Sequence, residues 1–268
     1  MANSNRKIAA GGALYLYGIS EAPALPASNK PASKLAQRFS LKVPKIGSVG
    51  IDGVHAVQPL ACGDFICWVC EVDQASFAGA IERNMENLEW LALHGIRHQQ
   101  VVGEVAEQIA IVPARFGTVF SGEPALLKDV QGRKAALKKV FARVAGGDEW
   151  GVKVFAERQV TAVARTEARS GKEYLQQKAA RLKKPERNDH ELLELATALG
   201  KIAIASAPSG KVSGAQPNLL WQATFLVPRA KRKQWDQALK SFVERWEGQR
   251  RIEVNGPWPP YSFVSDAE

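Results

Sequence analysis

Short apolar runs at the start of the chain predict buried strands. "ALYLYGI" (13–19) and "DFICWVCEV" (64–72) are rich in β-branched and aromatic residues, as strands of a covered sheet are. "GVHAVQPL" (53–60) predicts a further strand. Between the first and second of these, residues 22–48 are rich in Pro, Ala and Ser without any period, which predicts a flexible insertion.

Helical spacing follows the strands. After Asp73, which suits an N-cap, apolar residues recur every three or four positions and predict a helix ending at His94-Gly95: Phe77, Ile81, Met85, Leu88 and Leu91. Val101, Val102 and Val105 predict a further short helix. A strand up to Pro113 and a helix capped by Ser121 complete this part, with a stripe at Leu126, Val130, Leu137, Val140, Phe141 and Val144.

The second part of the chain repeats this alternation of strands and single helices. A helical region over 161–199, interrupted near Pro185, precedes predicted strands over 201–207, 219–228 and 250–256, with a helix marked by Trp235, Leu239, Phe242 and Trp246. The pattern predicts an α+β protein of two small domains, 1–160 and 161–268, and a ferredoxin-like arrangement suits the second.

Composition limits the class of protein. The 268 residues are 46% apolar and 24% charged, as in globular proteins, and no apolar stretch is long enough to span a membrane. We identify no signal peptide at the N-terminus, and three cysteines in so long a chain fit a reducing cytosol.

The net charge of +9 is concentrated in the second part of the chain. Residues 1–110 carry 9 basic and 10 acidic side chains, whereas residues 111–268 carry 27 and 17. The basic residues interleave with apolar stripes and therefore fit solvated helix faces. They also fit a surface that attracts nucleic acid, an acidic protein or anionic lipid.

The metal-site candidates are weak. Cys67 and Cys70, with Cys62 and His55 upstream, are ligand types that zinc accepts. Because residues three apart in a strand point to opposite faces, buried structural cysteines are the favoured interpretation. His94 and His98 have helical spacing, but the glutamate of a zinc-protease motif is missing.

Catalytic motifs are absent from the sequence. "SGKVSG" (209–214) lacks the first glycine and the final hydroxyl residue of a phosphate loop, and neither a nucleophile elbow nor a dinucleotide fingerprint occurs. The motif search therefore identifies no catalytic, metal-binding or cofactor-binding residue, although an enzyme on a ferredoxin-like scaffold stays a further hypothesis because fold does not fix function. Arg115, after a strand and before Phe116, fits a structural ion pair or a partner contact.

Six segments together resemble the gas vesicle protein F/L family (GvpF/GvpL). They run through almost the whole chain: "ALYLYGI" (13–19), "PARFGTVF" (113–120), "EWGVKVF" (149–155), "YLQQKAARLK" (174–183), "FLVPRA" (225–230) and "GPWPPYSFV" (256–264). "PARFGTVF" and "GPWPPYSFV" are the specific segments. The insertion over 22–48 is the main departure from the family pattern.

The resemblance implies a minor structural or assembly protein of gas vesicles, the gas-filled, protein-walled organelles of the cytoplasm. Its implied partners are the apolar major shell protein, which it would keep from aggregating during nucleation and assembly, and other gas vesicle accessory proteins. The resemblance implies no enzyme activity, cofactor or small-molecule ligand, and neither a membrane nor nucleic acid as partner. The implied fold is two α+β domains, the second a modified ferredoxin-like fold with helical additions. The family-motif residues are then candidate partner contacts: Arg115, Phe116, Gly117, Trp150, Trp258, Tyr261 and Phe263.

The alternative hypothesis is a basic nucleic-acid-binding α+β module, which the charge of residues 111–268 motivates. The proline-rich end of the chain is a separate question. Gly256 allows a turn and the three prolines hold an extended chain, so Trp258, Tyr261 and Phe263 are expected to pack on the protein as an anchored tail.

Overall fold

The computed structural model describes residues 12–22, 43–75, 77–157, 189–208, 216 and 218–264. It contains two compact units. The first comprises the residues up to Gly146 together with those from Trp258 onward, and the second is Gly147–Pro257. Each unit has its own antiparallel sheet and its own apolar core.

The sheet of the first unit is built around a central strand. It consists of β1 (Gly12–Glu21), β2 (Gln58–Cys62), β3 (Phe65–Asp73), β4 (Val112–Pro113) and β5 (Val119–Phe120). The order is β2-β3-β1-β4, and β5 also pairs with β1. All the pairings are antiparallel. Both ends of the motif segment 113–120 therefore pair with β1.

Helices follow the strands of the first unit. A 3-10 turn (Ala78–Ala80) leads into α1 (Ile81–Asn84), and three longer helices are α2 (Leu88–Gln108), α3 (Glu123–Gly132) and α4 (Lys134–Val144). Their buried stripes pack on the sheet.

Both faces of this sheet are covered, which explains why β1 and β3 are apolar throughout. Trp68 belongs to a core cluster with Val101 and Val105 of α2. Phe65, three positions earlier in β3, points to the opposite face. It stacks on Phe141 of α4, with ring centroids 5.9 Å apart. Strands covered on both faces have near-continuous apolar sequences. The prediction of buried strands over 13–19 and 64–72 is confirmed.

The first long helix differs from the sequence prediction. The apolar spacing predicts a helix ending at His94-Gly95 and a second one beyond, but α2 continues through this glycine to Gln108. It begins where the side chain of Asn87 accepts a hydrogen bond from the Trp90 N–H, not after Asp73. Packing on the sheet offsets the modest helical cost of an internal glycine.

Two further boundaries differ from the prediction. The helix predicted from Ser121 to Val144 is two helices, because Arg133 between them has φ −109° and ψ 19°. Gly122, not Ser121, stands at the N-cap. The strand predicted over 53–60 is shorter, since the chain before Gln58 forms a turn closed by a bridge between Val49 and Ala56.

The second unit has the element sequence strand, helix, strand, strand, helix, strand. Its elements are β6 (Gly147–Ala156), α5 (Asp189–Ile202), β7 (Ala205–Pro208), β8 (Leu219–Pro228), α6 (Arg232–Arg245) and β9 (Arg250–Trp258). A 3-10 turn (Arg229–Lys231) precedes α6. The strand order is β7-β8-β6-β9.

One apolar core joins this sheet to its two helices. The stripe predicted for the last helix is buried, with Trp235 and Trp246 almost fully covered. These indoles pack with Leu195 of α5 and with Trp150 and Val152 of β6. Core packing rather than base stacking accounts for the tryptophans.

The division of the chain also differs from the sequence boundary near residue 160. β6 pairs with β8 along its whole length and so belongs to the second sheet, although the sequence pattern assigned it to the first domain. The residues from Trp258 onward group with the first unit instead of the second. Local periodicity carries no information about which strand pairs with which.

Some predicted features lie outside the described residues. These are most of the insertion over 22–48, the helical region before residue 189 with its segment 174–183, and the loop 209–214. Within the part of the chain that is described, no helix combines the length and apolar character needed to cross a membrane.

We predict opposite effects for two glycine-to-alanine substitutions in the first unit. At Gly18, beside a register shift in β1, a Cβ would lie 2.7 Å from the Ile111 side chain and 2.8 Å from the Val112 carbonyl oxygen. Gly18→Ala should therefore lower the free energy of unfolding by about 2 kcal/mol. Gly103→Ala, inside α2 with open space around it, should raise it by about 0.5 kcal/mol.

Urea unfolding followed by circular dichroism measures both changes. Equal effects of the two substitutions would contradict the packing at Gly18.

Candidate functional site

The segment 113–120, called the motif loop from here on, closes one edge of β1. The Ala114 N–H donates to the Tyr17 carbonyl, and the Leu16 N–H donates to the Thr118 carbonyl, each at 2.9 Å. The N–H and the hydroxyl of Thr118 both donate hydrogen bonds to the Arg115 carbonyl. The backbone of β1 at this edge is thus already paired, and the loop has a defined shape.

Gly117 is held from inside the core. Its φ of +86° lies in the left-handed region that suits glycine. Its N–H donates to the hydroxyl of Tyr15 at 3.1 Å, and that hydroxyl lies 2.8 Å from Nδ1 of His98. Burial raises the pKa of Tyr15 above its usual value, so the hydroxyl stays protonated. One buried hydroxyl therefore connects the motif loop to α2.

Aromatic rings surround His98. Phe116 of the motif loop and Tyr261 lie with their ring centroids 5.9 and 6.4 Å from the imidazole, and Tyr17 stacks on it at 5.7 Å. Burial lowers the pKa of His98 to about 4, with the backbone of Ala114 acting in the opposite direction. At neutral pH the ring is uncharged, which suits a packing role.

The segment 256–264, called the tail from here on, ends beside the motif loop. Phe263 is buried, and its carbonyl accepts a hydrogen bond of 2.5 Å from Nη2 of Arg143 on α4. Tyr261 packs against the core of the first unit. Trp258 differs from the expectation that all three aromatics pack, because half of its surface is exposed.

A cleft of about 300 Å³ lies in the first unit, where the motif loop and the tail converge. Its apolar lining includes Leu16 and Ile19 of β1, Val112, Ala114 and Val264. A volume near 300 Å³ is at the lower end of ligand-binding clefts and accommodates one or two side chains. The two most specific motif segments of the sequence thus form parts of one surface feature.

The polar lining of the cleft has more positive than negative charge. It contains two guanidinium groups, Arg115 and Arg133, and one carboxylate, Asp129. Nε and Nη2 of Arg133 lie 2.8 and 2.7 Å from Oδ2 of Asp129, one turn away on α3. Arg115 is exposed.

The chain segment that supplies most of the lining is also basic. Residues 111–146 contain seven basic and two acidic side chains. Lys134 and Lys138 both lie 2.8 Å from Asp64, and these hydrogen bonds lower the pKa of this carboxyl to about 2. The surface of this segment therefore favours anionic groups.

Trp150 is in a different place from the other motif residues. It lies in the core of the second unit, with the guanidinium of Arg232 3.8 Å from its ring centroid. Gly256 approaches so closely that a Cβ would come within 2.9 Å of the indole. The first unit brings together Arg115, Phe116, Gly117, Tyr261 and Phe263.

The cysteines that were weighed as metal ligands have separate surroundings. The sulfur of Cys67 lies 2.8 Å from that of Cys62, whereas the sulfur of Cys70 lies 3.2 Å from the Tyr17 hydroxyl. Burial raises the pKa of Cys70 to about 11, and the hydrogen bond with Cys62 raises that of Cys67. His55 pairs with Asp52 instead. Among the described residues, no group of three or more His, Cys, Asp and Glu side chains is arranged to hold a metal ion.

Four residues of this region were not singled out for it by the sequence pattern. These are Tyr15 and His98, which hold the motif loop, and Asp129 and Arg133, which line the cleft. The spacing of four between Asp129 and Arg133 is a usable signal for an ion pair within a helix. The contact of Tyr15 with His98 joins residues 83 positions apart and leaves no local signal.

A family model described as gas vesicle synthesis protein GvpL/GvpF matches residues 13–265. Gas vesicle protein L of Streptomyces sp. (strain CB03234) is 30% identical over 243 residues, covering 82% of this chain and 88% of the relative. Gas vesicle protein F2 of Halobacterium salinarum is 25% identical over 170 residues, covering 62% and 66%.

Two solved structures have a similar fold. The crystal structure of GvpF from Anabaena sp. PCC7120 is 21% identical, covers 95% of this chain and 96% of its own, and has a TM-score of 0.64. That of GvpF from Microcystis aeruginosa is 18% identical, covers 94% and 99%, and has a TM-score of 0.60. At these identities the likeness shows the fold.

We predict that removing one hydroxyl, by Tyr15→Phe, loosens the motif loop. The Gly117 N–H loses its acceptor, which should cost about 1 kcal/mol of unfolding free energy. Tyr17→Phe is the matched control, because the Tyr17 hydroxyl accepts from the Ile51 N–H in a different loop. Hydrogen exchange should accelerate at Gly117 only in the first variant and at Ile51 only in the second. The same exchange rates in both variants would refute this arrangement.

We predict a stability loss in mild acid caused by His98. Burial keeps its pKa at about 4 in the folded protein, below the ordinary histidine pKa of about 6.5. Between these two pH values the unfolded chain therefore binds a proton that the folded protein does not. The contribution is complete above pH 6.5 and disappears as pH falls to 4, a change of about 3 kcal/mol.

Unfolding free energies at pH 7 and pH 4.5 measure this effect. His98→Gln should reduce the difference between the two pH values, whereas His190→Gln, at an exposed position of α5, should leave it unchanged. An unchanged difference in His98→Gln would exclude this histidine as its source.

Proposed function

Because the chain belongs to the GvpL/GvpF family of gas vesicle proteins, we propose that it is a minor structural and assembly component that binds the apolar major shell protein. The observation that carries the proposal is the family match over residues 13–265. The family is one of gas vesicle synthesis rather than of enzymes, and we propose no catalytic role. Proteins of gas vesicles are associated with these organelles in the cytoplasm.

The physical task of such a component is to cover apolar surface. A shell protein that lines a gas space exposes apolar helix and strand surface before assembly, and such surface aggregates unless it is covered. Binding during nucleation and assembly would keep the shell protein soluble until it is incorporated. Other gas vesicle accessory proteins are further proposed partners.

Exposed apolar residues on the first unit support this role. Four of them lie near the start of α2, with exposed fractions from 49% to 80%: Met85, Leu88, Leu93 and Ile96. Met85 precedes the helix, and Leu88, Leu93 and Ile96 lie within its first nine residues. Several large apolar side chains exposed in one short segment are typical of a protein contact site. The cleft beside Arg115 is a second apolar feature of the same unit.

The motif residues divide by exposure in this proposal. Arg115 and Trp258 are exposed and are proposed to touch the partner. Phe116, Tyr261 and Phe263 are proposed to set the shape of the motif loop and of the anchored tail. Gly117 supplies the left-handed turn, and Trp150 supports the second unit.

We also propose that the second unit is a modified ferredoxin-like domain. The support is its order of strand, helix, strand, strand, helix, strand and its sheet order β7-β8-β6-β9.

We predict that co-expression with this chain keeps the major shell protein in the soluble fraction and that the two proteins are recovered together by pulldown. Leu88→Glu should reduce both effects, because it places a charge among the exposed apolar residues near the start of α2. Val243→Glu, at a half-exposed apolar position of α6, is the control and should leave both unchanged.

Deletion of the gene gives a second test. Vesicles should be lost or malformed in the deletion strain and restored by the intact chain. Normal vesicles in that strain, together with no recovered complex, would refute the proposed role.

A further inference from the structure

The cleft combines an apolar floor with cationic groups. Leu16, Ile19 and Val112 provide apolar surface, whereas Arg115 and Arg133 provide guanidinium groups on the same lining. Guanidinium groups bind carboxylates through paired N–H donors, and an apolar surface next to them excludes water and strengthens that contact. The lining therefore has the features that bind a group both apolar and anionic.

The backbone at this edge is closed to strand addition. The Leu16 N–H and the Tyr17 carbonyl already bond to the motif loop. A bound segment must therefore be recognised through its side chains or a chain terminus, and the cleft of about 300 Å³ holds only one or two side chains. The contact therefore involves only a few residues of the bound segment and depends on their chemical groups.

We propose that the cleft binds an acidic apolar segment of the shell protein, with one apolar side chain in the cleft and the adjacent carboxylate on Arg115. This inference rests on the proposed function, since it names the contact through which the shell protein is held. With two guanidinium groups and one carboxylate, the lining of the cleft has a net positive charge that is complementary to such a segment.

A protein carboxylate fits these cations better than a phosphate backbone does. Arg133, Lys134 and Lys138 already pair with carboxylates of the chain itself, Asp129 and Asp64. Nucleic acid needs a run of cations along its backbone and aromatic faces for its bases. The lining of the cleft instead has small aliphatic surface around a few charges.

The test uses the full-length chain and fluorescein-labelled overlapping peptides that cover the shell protein. We expect fluorescence anisotropy to select peptides in which Asp or Glu adjoins Val, Ile or Leu. Arg115→Gln should weaken their binding about tenfold, whereas Lys128→Gln, which removes the same charge from an exposed position of α3 outside the cleft, should change it less than about twofold.

A double-substitution cycle makes the assignment specific. Replacing the carboxylate of the selected peptide by its amide should weaken binding to the wild-type chain and have little further effect on Arg115→Gln. Ala114→Leu, which narrows the cleft, should weaken binding of both peptides. Melting curves identify any variant that has lost its fold, and Arg115→Gln alone is decisive because its side chain is exposed.

The outcomes separate this inference from the proposed function. If the wild-type chain retains the shell protein on pulldown but Arg115→Gln and Lys128→Gln bind the peptides equally, the assignment of the cleft is wrong and the proposed function stands. If the wild-type chain does not retain the shell protein, both are wrong. Displacement of the peptide by a short single-stranded oligonucleotide that binds more tightly would also overturn the inference.

Discussion

The hydroxyl of Tyr15 is the contact on which the arrangement of the motif loop depends. It lies in the core between β1 and α2, accepts a hydrogen bond from the Gly117 N–H and lies within hydrogen-bonding distance of His98. Burying a polar group without a hydrogen-bond partner costs free energy. The contacts of this hydroxyl therefore fix the positions of β1, α2 and the motif loop relative to one another. The rings of Phe116 and Tyr261 then pack around the same histidine.

The cleft is a consequence of this arrangement. The motif loop satisfies the backbone of β1 and leaves its charged and apolar side chains at the surface, where the end of the tail meets it through Val264. A rigid loop with an exposed Arg115 beside aliphatic side chains is prepared to bind a partner without first paying for its own ordering. The proposed binding of the shell protein would use this property.

The candidate site was predictable only in pieces. Residues 113–120 and 256–264 stand out in the sequence through their composition and family resemblance, and both contribute to one cleft. The partners that shape them are distant in the chain. His98, for example, has a helical spacing with His94, but no local pattern indicates its contact with Tyr15. Trp258 illustrates the limit, because an aromatic residue between prolines predicts packing, yet half of it is exposed.

The sequence by itself determined the α+β class, the buried strand over 13–19 and the apolar stripe that ends at Trp246, because the spacing of apolar residues is a local property. Tertiary structure decided the rest. β6 joined the second sheet through its pairing with β8, and α2 ran through Gly95 because its far half packs on the core. Strand pairing and burial are made between distant residues, and their free energies outweigh local preferences at helix ends and domain boundaries.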